Sequence, residues 1–179
     1  MANILRALVL GGQRSGKSRY AEDLIVASGC APVYLATATA GDDEMGARIA
    51  AHRGRRGPGW RTVEEPLDLA GALADAGGPD TAVLVDCLTL WLTNLMAAGR
   101  PLDAEADRLL GALAGTAGPV VIVSNEVGSG IVPDNALARR FADALGVLNQ
   151  RVAAAVDRVV LVTAGLPLTL KPVPAQVSS

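Results

Sequence analysis

The segment Gly11-Gly-Gln-Arg-Ser-Gly-Lys-Ser18 constrains this chain more than any other stretch. It is a complete G-x-x-x-x-G-K-[ST] phosphate-binding loop, set between an apolar run, Ile4 to Leu10, and a helix-like segment that begins at Lys17. Glycines let backbone N–H groups converge on phosphate oxygens. The following helix adds its positive N-terminus, and Lys17 brings a cation to the β- and γ-phosphates. Ser18 then offers a hydroxyl to Mg²⁺. The competing reading is a glycine-rich turn that merely joins a strand to a helix, and the flanking strand and helix weigh against it.

Such a loop needs a sheet behind it, and the rest of the chain supplies the pattern. Short β-branched runs alternate with longer amphipathic segments. Strands are expected at 4–10, 32–37, 60–63, 81–86, 119–124 and 158–163. Helices are expected at 17–28, 42–52, 66–76, 88–98, 103–115 and 134–157. This alternation predicts an α/β fold with a mostly parallel sheet flanked by helices. Right-handed crossovers place the loops after the strands along one sheet edge, where function is expected. The 60–63 run is read as an antiparallel or edge strand.

At 179 residues the chain is read as one domain over 1–171, with 172–179 a frayed tail. Half of its residues are hydrophobic but only 3% are aromatic, so Val, Leu, Ile and Ala must build the core. A formal charge of −2 leaves no broad footprint for nucleic acid, although Arg53, Arg55 and Arg56 form a local basic cluster. Cys30 and Cys87 have no metal-ligand spacing and are too few for a disulfide framework, so both read as buried thiols. No apolar run reaches membrane-spanning length, and the N-terminal one runs straight into the phosphate loop. The protein is therefore expected in the cytoplasm.

Several side chains could do chemistry. The apolar strand 81–86 ends in Asp86, where a carboxylate can hold Mg²⁺ opposite the loop; the alternative is a cap for the next helix. His52 is the sole histidine, beside Arg53, Gly54, Arg55 and Arg56. Guanidinium groups bind phosphate oxygens in forked geometry, and a neutral imidazole near bound phosphates is a nucleophile for phosphorus. Its charges also suit a helix end, which is a purely structural account. Glu64 could accept hydrogen bonds from a base or ribose, or be a solvated strand-end carboxylate. Ser124 to Gly128 reads as a shaped substrate loop, and Asp134 as a helix cap. Trp91 shares helical spacing with Leu88, Leu92 and Leu95, and so reads as core or subunit interface.

The loop Gly11 to Glu22, joined to Asp42-Asp-Glu-Met and Arg48-Ile-Ala-Ala-His52-Arg, resembles the bifunctional adenosylcobinamide kinase/adenosylcobinamide-phosphate guanylyltransferase family. Further matches are Trp60 to Glu64, Val85 to Asn94, Ser124 to Gly128, Gly130 to Pro133, Asn149 to Arg151 and Gly165 to Lys171. The resemblance implies a RecA-like phosphate-loop fold, a homotrimer, and a cobalamin-pathway enzyme. That enzyme phosphorylates adenosylcobinamide with ATP or GTP, then transfers GMP from GTP to adenosylcobinamide phosphate through a guanylyl-histidine. His52 falls on the guanylylated position, with Lys17 the second catalytic residue. Gly11, Gly12, Gln13, Arg14, Ser15, Gly16, Lys17, Ser18, Thr37, Ala38, Thr39, Arg53, Gly54, Arg55, Arg56, Glu64 and Asp86 fall on nucleotide-contacting positions. Ser18 and Asp86 fall on the Mg²⁺ positions. Some relatives carry a histidine pair where this chain has Ala51 and His52. A plain small-molecule kinase and a nucleotide-dependent switch module are the alternatives.

Overall fold

The structure, a computed structural model, describes residues 5–38, 54 and 56–172. Seven strands form one sheet in the order β3-β2-β4-β5-β1-β6-β7. In chain order the elements are β1 (Arg6–Gly11), α1 (Lys17–Ala27), β2 (Ala31–Ala36), β3 (Arg61–Glu64), α2 (Leu69–Ala76) and β4 (Thr81–Asp86). They continue as α3 (Leu88–Ala97), α4 (Leu102–Gly115), β5 (Val120–Asn125), α5 (Ala136–Ala155), β6 (Arg158–Thr163) and β7 (Leu166–Lys171). All pairings are parallel except that of β6 with β7.

Because strand side chains alternate between faces, each buried strand feeds two cores. Leu8, Leu35, Val83, Val85, Val120 and Ile122 point to the larger one, which α2 to α5 cover. Ala7, Val9, Tyr34, Ala36, Leu84, Val121 and Val123 point to the other, against Ala21 and Ile25 of α1. Trp91 belongs to the larger core, 1% exposed, and its indole N–H donates to the Leu67 carbonyl at 2.9 Å.

Three differences from the expected elements have local causes. The helix expected from residue 66 starts at Leu69, because Asp68 caps it by accepting from the Gly71 N–H at 3.2 Å. Asn135, not Asp134, caps α5, accepting from the Ala138 N–H at 2.7 Å. The segment after Thr163 turns back as β7. Ala164 and Gly165 both take positive φ, 50° and 79°, as a two-residue hairpin turn matching the strand twist requires. β3 does lie at the sheet edge, but it runs parallel to β2. Cys87 is buried, whereas Cys30 is only partly buried where it packs against the smaller core, so the expectation of two buried thiols holds for Cys87 alone. The helix expected at 42–52 and the tail from 173 lie outside the described residues.

Candidate active site

β1 is buried between β5 and β6, and its last residue delivers the chain to the phosphate loop. Gly11 has no room for a side chain: a Cβ there would stand 2.4 Å from Ser15 Oγ and 2.5 Å from the Val162 carbonyl oxygen. The loop then curls through left-handed conformations at Arg14, φ 56°, and Gly16, φ 99°. Concave runs of amides arise where successive residues alternate in this way. Gly16 caps α1 without any side-chain hydrogen bond, and the first turn of that helix carries no acid. The helix N-terminus is thus left open to an anion.

The rest of the loop is anchored from behind. The Ser15 N–H donates to the Gly12 carbonyl at 3.3 Å, and the Gly165 N–H donates to the Ser15 carbonyl at 2.9 Å. Ser15 Oγ is buried with no hydrogen-bond partner among the described residues. Lys17 Nζ donates to the Gly12 carbonyl at 3.0 Å, folded over the loop. Burial lowers the pKa of its ammonium, and the nearby groups of Asp86 and Cys87 push it back up. Lys17 and Asp86 therefore share one electrostatic site.

Asp86 ends β4, paired in register with Ala36 of β2 and Val123 of β5. It is not the cap of α3. Cys87 holds that position, with no side-chain cap bond. Burial, together with the Asp86 carboxylate beside it, raises the Tyr34 phenol pKa well above the ordinary value, against the pull of Arg56. The Arg56 guanidinium carbon lies 3.3 Å from the centroid of the Tyr34 ring, and Trp60 meets the same ring edge-on at 6.5 Å. Glu64 is exposed at the end of β3, in register with Ala36.

The loop beyond β2 is pinned to the start of α3. Thr37 is fully buried; its hydroxyl donates to the Cys87 carbonyl at 2.8 Å and accepts from the Cys87 N–H at 2.8 Å. Asn94 Nδ2 donates to the Thr37 carbonyl at 2.8 Å and to that of Pro66 at 3.1 Å. Thr37 thus commits its hydroxyl to the fold, and Ala38 follows it at the sheet edge. After β5, the Asn125 N–H donates to Thr89 Oγ1 at 2.9 Å, and the Gly128 N–H to Glu126 Oε1 at 2.6 Å.

Gly11 to Ser18, Thr37, Ala38, Glu64 and Asp86 thus gather at the carboxyl edge of the sheet, with Arg56 against Tyr34. Thr39, His52, Arg53 and Arg55 lie outside the described residues, as do Arg48 and Glu44. Sequence reasoning missed Tyr34, because its link to Asp86 depends on strand register. The oxygen donors of Ser18 and Asp86 suit a hard cation, and among the described residues no group of three His, Cys, Asp or Glu could cage a metal.

The family model described as cobinamide kinase / cobinamide phosphate guanyltransferase matches residues 7–170. The chain belongs to this family. It is an enzyme of cobalamin biosynthesis with kinase and guanyltransferase functions. A bifunctional adenosylcobalamin biosynthesis protein CobP of Pseudomonas aeruginosa is 52% identical over 93% of this chain and 98% of its own. The CobU proteins of Salmonella typhimurium and Escherichia coli, with the same description, are 44% and 41% identical, each over 92% of this chain and 98% of their own.

Two solved structures share the fold at low identity. The RadB recombinase superposes with a TM-score of 0.51 at 19% identity, covering 88% of this chain and 73% of its own. A type III secretion ATPase gives 0.52 at 14% identity, covering 92% and 56%. The fold is the RecA-like phosphate-loop architecture that the resemblance implied.

Proposed function

We propose that this chain phosphorylates adenosylcobinamide with ATP or GTP and then transfers GMP from GTP to adenosylcobinamide phosphate through a guanylyl group on His52. The observation that carries the reading is the open amide cradle of Gly11 to Ser18 facing Asp86, in a chain matched over nearly its whole length by a kinase and guanyltransferase family.

In the first reaction the loop amides and Lys17 hold the triphosphate with the γ-phosphoryl group toward the acceptor hydroxyl. The hydroxyl oxygen attacks the γ-phosphorus, the bond to the bridging oxygen breaks, the nucleoside diphosphate leaves, and the hydroxyl proton passes to solvent. Positioning and charge neutralisation supply most of the rate. Ser18 and Asp86 would hold Mg²⁺, which when bound neutralises phosphate charge. In the second reaction an imidazole nitrogen of His52 attacks the α-phosphorus of GTP and pyrophosphate departs. The substrate phosphate then displaces His52 from that phosphorus, giving adenosylcobinamide-GDP. Arg53, Gly54, Arg55, Arg56, Thr39 and Glu64 complete the nucleotide contacts.

We also infer a homotrimer working in the cytoplasm, without a nucleic-acid partner. Ile131 and Val132 are 98% and 75% exposed after β5, and Leu166, Leu168 and Leu170 lie exposed along the edge strand β7. Exposed apolar surface of this kind marks contact sites. No helix among the described residues is long and apolar enough to cross a membrane.

Incubation with α-labelled GTP tests the central step. Label should remain on the denatured wild type and vanish in His52→Ala, which keeps kinase activity; Lys17→Ala should lose both reactions. A wild type that never retains label leaves a plain small-molecule kinase.

A further inference from the structure

A side chain that no motif marks stands between Asp86 and Arg56. The register of β2 on β4 sets Ala36 opposite Asp86 and Tyr34 opposite Leu84. Tyr34, Ala36, Leu84 and Asp86 therefore share the α1 face, with Tyr34 a diagonal neighbour of Asp86. With strands about 4.8 Å apart and a rise of about 3.3 Å per residue, such diagonal neighbours stand about 8 Å apart, within reach of a tyrosine. Ala36, opposite Asp86, contributes only a methyl group.

Three contacts hold the ring. Its hydroxyl lies beside the Asp86 carboxylate and within the pull of Arg56, the Arg56 guanidinium carbon lies 3.3 Å from its centroid, and Trp60 meets it in a T-shaped arrangement. Tyr34 is 8% exposed, so its ring already fills a core place that phenylalanine would fill as well. The hydroxyl is what needs another explanation, since a buried phenol seeks a partner and this one faces a site carboxylate. A neutral donor is well suited to hold that carboxylate, because it fixes one oxygen without cancelling the charge, whereas lysine or arginine would compete with a cation. Arg56 Nη1, in turn, is buried and without a hydrogen-bond partner among the described residues. The ring holds that guanidinium while leaving this donor for an incoming acceptor.

We infer that Tyr34 is a positioning residue for the reaction site, its hydroxyl aligning the Asp86 carboxylate for the nucleotide-bound cation and its ring holding Arg56 toward a phosphate oxygen. The inference rests on Asp86 being the cation ligand, as proposed above.

The test uses the full chain saturated with guanosine 5′-(β,γ-imido)triphosphate and titrated with Mn²⁺, free ion being read by electron paramagnetic resonance. Nucleotide affinity in EDTA, kinase kcat and KM, and the melting curve complete it. Tyr34→Phe should melt like the wild type, bind Mn²⁺ roughly tenfold more weakly as a hydrogen bond to a charged group is lost, and lose kcat with the KM for adenosylcobinamide unchanged. Its metal-free nucleotide affinity should not move. Tyr34→Leu should weaken that affinity too. Wild-type Mn²⁺ binding in Tyr34→Phe, with weakened binding in Asp86→Asn, overturns the role of the hydroxyl. Unchanged metal-free affinity in a folded Tyr34→Leu, or in Arg56→Ala should Tyr34→Leu not fold, overturns the role of the ring. Unchanged Mn²⁺ binding in Asp86→Asn instead removes the cation-ligand reading itself.

Discussion

Gly16 and Gly165 meet backbone to backbone: a Cβ on Gly16 would stand 3.3 Å from the Gly165 Cα, and the neighbouring Gly165 N–H is bonded to the Ser15 carbonyl. The β6–β7 hairpin is thus the back wall of the phosphate loop. Gly16→Ala, at φ 99°, should cost about 1–2 kcal/mol of backbone strain. Gly11→Ala, pressed against Ser15 and the Val162 backbone, should cost about 1–3 kcal/mol. Thermal unfolding with and without nucleotide should show both a lower Tm and a smaller shift on adding GTP.

Thr37 offers a separable test of the pinned loop. Thr37→Val keeps the shape but strands the N–H and carbonyl of Cys87 without Oγ1, and should cost about 1–3 kcal/mol. Thr37→Ser keeps both hydrogen bonds and should stay within about 1 kcal/mol of the wild type. Equal denaturant midpoints for the two variants would refute the clamp.

The buried carboxylate Glu105 predicts an acid limb. Arg100 ion-pairs with it, Arg108 approaches it at 2.8 Å, and Arg108 also meets Asp68 at 2.7 Å. Burial pushes the Glu105 carboxyl up, but the two arginines hold it below its ordinary value; the Gly71 N–H and Arg108 do the same for Asp68. Both bind fewer protons folded than unfolded. Their contribution is therefore present above the ordinary carboxylate range, near about pH 4, and is lost as pH falls through their lowered values. Glu105→Gln should be less stable at neutral pH and show a shallower fall in acid, read from urea midpoints across pH.

The two thiols should part company. Burial, with the Asp86 charge beside it, pushes Cys87 up to about 11, leaving roughly a thousandth as thiolate at pH 8. Cys30 is partly exposed. A thiol reagent should modify one cysteine in the native protein and both in denaturant. Loss of the slow class in Cys87→Ala, and of the fast class in Cys30→Ala, would assign them.

The loop Gly11 to Ser18, the alternation behind a mostly parallel sheet and the buried Trp91 were readable from residues alone, since each depends on local spacing, chain order or side-chain periodicity. The family followed from its resemblance, and the parallel run of β3 came only with the structure. β7 was not readable either. Pro167 argues against a strand and Ala164-Gly165 lacks the usual hairpin signal, yet an edge strand tolerates proline and the turn takes positive φ at both places. The caps at Asp68 and Asn135 each lie within a few residues of the expected start, because side chains and backbone compete at helix ends. What tertiary structure alone decided is the meeting of distant residues. Tyr34 reaches Asp86 only through the register of β2 on β4, Thr37 reaches Cys87 only because α3 starts beside it, and Gly165 backs the phosphate loop only because β6 lies next to β1. Pairing between strands is a property of the folded sheet, and no stretch of sequence carries it by itself.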